Sequence, residues 1–437
     1  MIKGYRLRRL LAPTIGLQKA IGLFVLGFVS LLLGLGLGFK PLVKPFSLWL
    51  ASTTNLGLQR LQIPRDRIAY AEWILGLVFL LLGLYMTFRA VRAVINHIVE
   101  TLSPGLTAGK IDVYVRRRQL AQGPRIVAMG GGTGLSTLLR GLKHHSSNIT
   151  AIVTVTDDGG SSGRLIQDKG MIPPGDIRNC LVALADAEKS MTDLFQHRFK
   201  NDSGSLSGHA IGNLLIAALV DQAKGDFEKA IEIASDVLAI RGRVVPATLE
   251  HVRLRAVLED GAEVCGETAI VQAGRRIRRI HLDPPDCVGY KAAVEAIQAA
   301  ELICIGPGSV YTSVIPNLLV PEIAEALRLS DAPKVYICNV MTQPGESDSF
   351  TASEHVTTII NNTERKVFDY VMVNTGIPNE SLLGRYRDVG QHLVEADIDR
   401  IRAVGVRVIQ GNFMSDSDFV RHDPMKVAAR LMALVGR

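Results

Sequence analysis

Two long apolar runs open the chain, and short apolar runs alternating with helical patterns follow them. Ala20–Phe39 is 20 residues without a charge, and Trp73–Phe88 is a second such run of 16. The second extends back to Tyr70 if Glu72 sits at an interface. Neither run has a polar face, so each reads as a membrane-spanning helix rather than an amphipathic soluble one. A signal peptide is the rival for the first run, but it lacks a small-x-small cleavage pattern and a second apolar run follows. The pattern predicts a basic segment 1–19, a transmembrane hairpin 20–88 with spans at 20–39 and 70–88, and a basic amphipathic linker 89–123 lying on lipid.

From 124 to 437 the texture changes. Short apolar runs at 126–129, 149–156, 302–305, 334–339, 370–374 and 406–410 read as strands. Helical periodicity appears at 135–143, 177–186, 210–221 and 425–435. This alternation predicts an α/β domain, a Rossmann-like, mainly parallel sheet with helices on both faces. The stretch 244–283 instead alternates every second residue around Glu259-Asp260-Gly261 and predicts a small antiparallel insert.

Charge changes the picture at one end only. Residues 1–124 carry 16 Lys and Arg against 4 Asp and Glu, and the remainder 33 against 38. A basic end beside apolar runs suits an anionic membrane face. A mildly acidic globular part without a basic, aromatic stripe excludes a nucleic-acid-binding domain. Basic residues are denser outside the two runs than between them, which predicts both ends on the cytoplasmic side. The five cysteines contain no C-x-x-C pair, so neither a disulfide framework nor a zinc site is expected.

The chemistry gathers where strands end. The first strand runs into Gly130-Gly131-Gly132-Thr133-Gly134 and then a helix, the arrangement that sets phosphate oxygens against backbone N–H groups. Its spacing is not the dinucleotide G-x-G-x-x-G, which argues against a nicotinamide dehydrogenase. The second strand ends in Asp157-Asp158; such acids reach a ribose hydroxyl or hold Mg²⁺, or are simply a solvated turn. Asp176 sits where a helix N-cap belongs, with the pocket as its alternative. Gly208-His209-Ala210-Ile211-Gly212-Asn213 opens an apolar helix with His209 and Asn213 on one face: a weak general-base candidate and a ligand-orienting amide. Gly306-Pro307-Gly308-Ser309 is a second strand–glycine loop, and Asn339–Glu346 and Asn374-Thr375-Gly376 are further polar strand ends. Asp423 before Pro424 reads as an N-cap; Arg421 is an exposed charge or a diphosphate ligand, and Tyr386 a surface ring or a stacking face.

The strings RIVAMGGGTGLSTLLRGLK, ITAIVTVTDDGGSSGRL, PPGDIRNCLVALAD, GHAIGNLLIAAL, IGPGSVYTSVIPNLL and YICNVMTQPGE occur in this order. Together they resemble the YvcK-type gluconeogenesis factors, relatives of the CofD 2-phospho-L-lactate transferases, over about 124–437. The resemblance implies binding of UDP-sugars, UDP-N-acetylglucosamine above all, and a role in cell shape and envelope growth under gluconeogenic conditions. It implies a nucleotide pocket lined by Gly131, Gly132, Thr133, Gly134, Asn179 and Asn213, contacts to the UDP-sugar from Tyr386 and Arg421, and metal-binding acids at Asp158 and Asp176. With Asp157, Gly306, Gly308 and Ser309 these are the candidate site residues. No nucleophile–base pair is evident, so a regulator without turnover leads, and a CofD-like transferase using a nucleotide-activated donor with Mg²⁺ is the alternative. Mg²⁺ is the one cofactor in view. A homodimer, envelope-synthesis proteins and membrane lipid are the expected partners. The apolar N-terminus departs from the soluble family pattern and predicts attachment to the inner face of the plasma membrane, with the nucleotide-binding domain in the cytoplasm.

Overall fold

The computed structural model describes residues 15–38, 65–102, 111–186, 188–200, 204–415 and 419–435. Residues 1–14 of the basic segment, residues 39–64 between the two expected spans and residues 103–110 of the linker lie outside this set. The chain divides into two compact units, Met1–Arg116 and Arg117–Arg437.

In the first unit, helices Ile15–Gly38 and Arg65–Leu102 pack antiparallel. Small residues set the contact. A Cβ on Gly34 would stand 2.8 Å from the Gly76 carbonyl oxygen, and one on Gly27 2.8 Å from Thr87 Oγ1. Ser30 donates to the Phe79 carbonyl at 2.7 Å. Close backbone approach through Gly and Ser, with a hydroxyl bond across the seam, is the usual way helices associate where no hydrophobic drive exists. Phe24, Leu26, Phe28, Leu81 and Tyr85 point away from the seam and are exposed. Both helices are long and apolar enough to cross a membrane. The second extends well past Phe88, so Arg89 and Arg92 continue the same helix.

The second unit is built on one seven-stranded, wholly parallel sheet. Its strands are β1 (Ile126–Gly130), β2 (Ile149–Val153), β3 (Arg243–Pro246), β7 (Leu302–Ile305), β8 (Lys334–Ile337), β9 (Tyr370–Asn374) and β10 (Arg407–Gly411), in the order β10-β9-β8-β7-β1-β2-β3. Strands β1 and β7 are buried along their whole length, as residues covered on both sheet faces must be. Helices Gly132–Leu142, Gly175–Leu184 and Pro424–Met432 pack together as one layer; Lys291–Gln298, Pro321–Leu329 and Ala352–Thr363 belong to another. The chain winds from β1 outward to β3, then returns to the other side of β1 and winds outward through β7 to β10. The crevice at the carboxyl ends of β1 and β7 is therefore the switch point of the sheet, where ligands of open α/β folds bind.

The insert is a separate three-stranded antiparallel sheet of β4 (Arg253–Leu258), β5 (Glu263–Cys265) and β6 (Ile277–Asp283), in the order β5-β4-β6. The expected turn closes β4 and β5: Gly261 N–H bonds the Leu258 carbonyl at 3.0 Å, and Gly261 takes a φ of +84°, open to glycine at no steric cost.

Three expectations are corrected. Residues 244–246, counted in the insert, belong instead to β3 (Arg243–Pro246), which joins the main sheet beside β2 as an edge strand, a place where Pro246 costs no ladder bond. Asp176 does not cap its helix; Pro174 holds that position and Asp176 lies in the first turn. His209 precedes the helix Ile211–Gln222, so it shares no helix face with Asn213.

Candidate functional site

The carboxyl ends of β1, β2, β7 and β8 enclose a cavity of about 640 Å³, within the range of small-ligand sites. Its floor is the loop 131–134. Gly131, at the N-cap of the helix Gly132–Leu142, makes no side-chain cap bond, and of the first-turn donors the Gly132 N–H is taken by Asp176. Two close approaches fix this loop. A Cβ on Gly131 would stand 2.6 Å from an Asp176 carboxylate oxygen, and one on Gly134 2.3 Å from the Pro307 carbonyl oxygen. The glycines therefore let the two loops touch, backbone to backbone.

The second loop is clamped from β8. Asn339 accepts from Gly308 N–H at 3.2 Å and donates to the Gly308 carbonyl at 2.9 Å, and the Gln343 amide donates to Ser309 Oγ at 2.7 Å. Gly308 and Ser309 line the cavity; Gly306 lies behind them at the strand end. The end of β9 is not part of the wall: Asn374 bonds Gly376 and the Phe413 N–H instead.

One side of the cavity is acidic, with Asp157, Asp176 and Glu267. Burial, and then the negative charge of Asp157, push Asp176 up to about 6, against a stabilising bond from the Gly132 N–H. Burial and the charges of Asp157 and Asp176 push Glu267 up to about 9, so it holds its proton at neutral pH. The opposite side is Tyr386, Val420, Arg421 and His422. The Tyr386 hydroxyl accepts from Val420 N–H at 3.0 Å, which ties helix Glu380–Arg387 to the segment bearing Arg421. The Arg421 guanidinium lies 5.6 Å from the Phe419 ring centre. His422 is pushed down to about 4 by burial and stays neutral, bonded to the Cys338 carbonyl.

Of the residues named from sequence, Gly131, Gly132, Thr133, Gly134, Asp157, Asp176, Asn179, Gly308, Ser309, Tyr386 and Arg421 meet in this one cavity. Asn213 and His209 do not line it. They support it through a chain of bonds: Arg178 donates to Asn179 at 2.9 Å and to Asn213 at 2.8 Å, Asn213 to Ser161 at 3.0 Å, and Ser161 meets His209 Nδ1 at 3.0 Å. His209 stands behind the cavity wall with its Nδ1 against Ser161, and burial lowers its pKa. Asp158, expected beside Asp176, turns away to Thr268; the acid that shares the cavity with Asp176 is Asp157. Among the described residues no three His, Cys, Asp or Glu stand ready to hold a metal. Glu267 and His422 were not singled out from sequence. Glu267 lies in what reads as a strand, and only the fold brings it here.

A pH effect follows from Asp176. Its folded pKa near 6 lies above the ordinary 3.8, so the native state binds the extra proton. That stability is fully present below pH ~4 and is lost as the pH rises through ~6. Asp176→Asn is expected to raise stability by about 2 kcal/mol at pH 8 and to change little at pH 4, measured by urea unfolding at both pH values.

The model of the 2-phospho-L-lactate transferase CofD family matches residues 126–414. A putative gluconeogenesis factor of Nostoc sp. is 44% identical over 98% of this chain and 92% of its own. A gluconeogenesis factor of Bacillus subtilis is 47% identical over 72% of this chain and 99% of its own. A crystal structure of a UPF0052 family protein from Bacillus halodurans aligns with a TM-score of 0.68 at 46% identity, covering 71% of this chain and 99% of that one. With the cavity at the switch point, these matches place the chain in the CofD family, among its gluconeogenesis-factor members of the YvcK type.

Proposed function

We propose that the chain is a membrane-tethered regulator of cell morphogenesis and envelope growth that senses a UDP-sugar, UDP-N-acetylglucosamine, without turning it over. The observation that carries this reading is the single cavity in which two glycine loops face Arg421 and Tyr386. Loop N–H groups and a guanidinium suit a diphosphate, and a tyrosine ring beside them suits a base. The Ser309 hydroxyl at the cavity bonds the buried Glu346 carboxyl, so a hydroxyl does stand beside an acid there, and the binding reading rests on the diphosphate cradle alone. The apolar helix pair supports the tether: its large apolar side chains face outward, where a soluble protein would bury them.

The acids favour a second reading. Mg²⁺ is commonly held by one or two carboxylates together with ligand phosphates, and Asp157 and Asp176 offer those two. On that reading the chain is a CofD-like transferase that takes a nucleotide-activated donor.

Calorimetric titration of the full chain in detergent separates the two. UDP-N-acetylglucosamine is expected to bind and to survive incubation unchanged. Binding of GDP with Mg²⁺ and no binding of the UDP-sugar would favour the transferase. Binding of neither would end both readings. Carbonate washing of membranes tests the tether, since a chain released by it has no spanning helices.

A further inference from the structure

We propose that Asp158 is a positioning residue that latches the antiparallel insert to the tip of β2 and so holds Glu267 in the wall of the pocket. The proposal deepens, and rests on, the reading of that pocket as the nucleotide-sugar site. The two adjacent acids in the segment after β2 have parted. Asp157 lines the cavity. Asp158 turns to the helix Glu267–Ala273 of the insert, where its Oδ1 accepts from the Thr268 backbone N–H at 2.9 Å and from the Thr268 hydroxyl at 2.7 Å. Its Oδ2 lies against Gly266, close enough that a Cβ there would stand 2.3 Å away. These contacts bracket Glu267 from both sides in sequence.

The other end of the same helix is held as well. A Cβ on Gly345 would stand 2.4 Å from the Val271 carbonyl oxygen, so the helix rests directly on the loop after β8 that carries Gln343. Helix Glu267–Ala273 is thus wedged between two loops that themselves line the cavity. The consequence is chemical. Glu267 keeps its proton beside two other acids and can donate it to a ligand oxygen, which an ionised acid cannot do. An Asp158 whose oxygens serve the insert is a poor partner for Asp176 in holding a cation.

The test is a set of variants of the full chain in detergent, titrated with UDP-N-acetylglucosamine and followed by amide hydrogen exchange. Asp158→Ala is expected to weaken binding roughly ten-fold and to deprotect residues 266–273. Asp158→Asn keeps an oxygen that accepts both bonds and is expected to restore binding to within about two-fold. In a Glu267→Ala background, Asp158→Ala is expected to cost nothing further, because the residue acts through Glu267. Additive losses, or an Asp158→Asn variant as weak as Asp158→Ala, would overturn the proposal. Unchanged exchange at 266–273 in Asp158→Ala would do so too. If the native chain bound no UDP-sugar, the site reading would fail while the exchange data still decided the latch.

Discussion

Gly134→Ala is expected to destabilise the globular unit by about 3 kcal/mol or more and to abolish ligand binding. The methyl group would be placed 2.3 Å from the Pro307 carbonyl oxygen, 2.7 Å from its carbon and 3.0 Å from Gly308 N. All three are backbone atoms of a loop pinned by Asn339, so no side chain can swing aside. Relief requires the loops after β1 and β7 to separate, and these two loops are the floor and wall of the cavity. Melting of the variant beside the native protein checks the first part, with a fall on the order of 5 °C or more expected. Equal melting temperatures would show that the loops do not touch as described. A control at Gly160, where a Cβ meets nothing within 4 Å, should leave packing untouched, although its φ of +47° makes the substitution mildly strained.

Arg421→Ala is expected to weaken UDP-N-acetylglucosamine binding roughly thirty-fold, about 2 kcal/mol, with no loss of folded stability. Arg421 is exposed at the cavity wall and its side chain contributes no part of the core. Its loss therefore removes a cationic donor from a diphosphate without opening a void. Calorimetry of the variant reads the affinity and a melting curve reads the stability. Unchanged affinity would mean that the diphosphate does not lie between Arg421 and the glycine loops. A fall in affinity matched by a fall in melting temperature would mean that Arg421 acts through the fold, by way of the segment that Tyr386 ties down.

The acid wall bears on both variants. A diphosphate beside Asp157 and Asp176 is repelled more as Asp176 ionises, so the proton that Glu267 retains at neutral pH, joined by that of Asp176 below about pH 6, lessens the repulsion that three charged carboxylates would exert.

Where the sequence sufficed, local pattern and local chemistry coincided. The apolar runs at 126–129, 302–305 and 370–374 became β1, β7 and β9 because a strand covered on both faces must be apolar throughout. Asp423 caps its helix as its place before Pro424 requires, accepting from Met425 N–H at 2.8 Å and Lys426 N–H at 3.0 Å. The glycine loops were legible because only glycine permits such close backbone approach, and the six motifs in order carried the family. The missteps had a common origin in reading neighbours along the chain as neighbours in space. Residues 244–246 were grouped with the alternating stretch that follows them, and the helix Glu267–Ala273 was hidden in a segment that reads as strand. His209 was placed on a helix that begins only at Ile211.

By itself, then, the chain's own pattern determined the main-sheet strands other than β3, the glycine turns and the two apolar helices, since each is set by periodicity or by the steric needs of single residues. It was tertiary structure that decided which of two adjacent acids faces the cavity. It also decided that Asn213 and His209 stand behind the wall, and that an insert more than a hundred residues from the first loop supplies Glu267. The physical reason is that a side chain's role depends on what surrounds it, and here the surroundings come from strands distant in sequence and adjacent only at the switch point of the sheet.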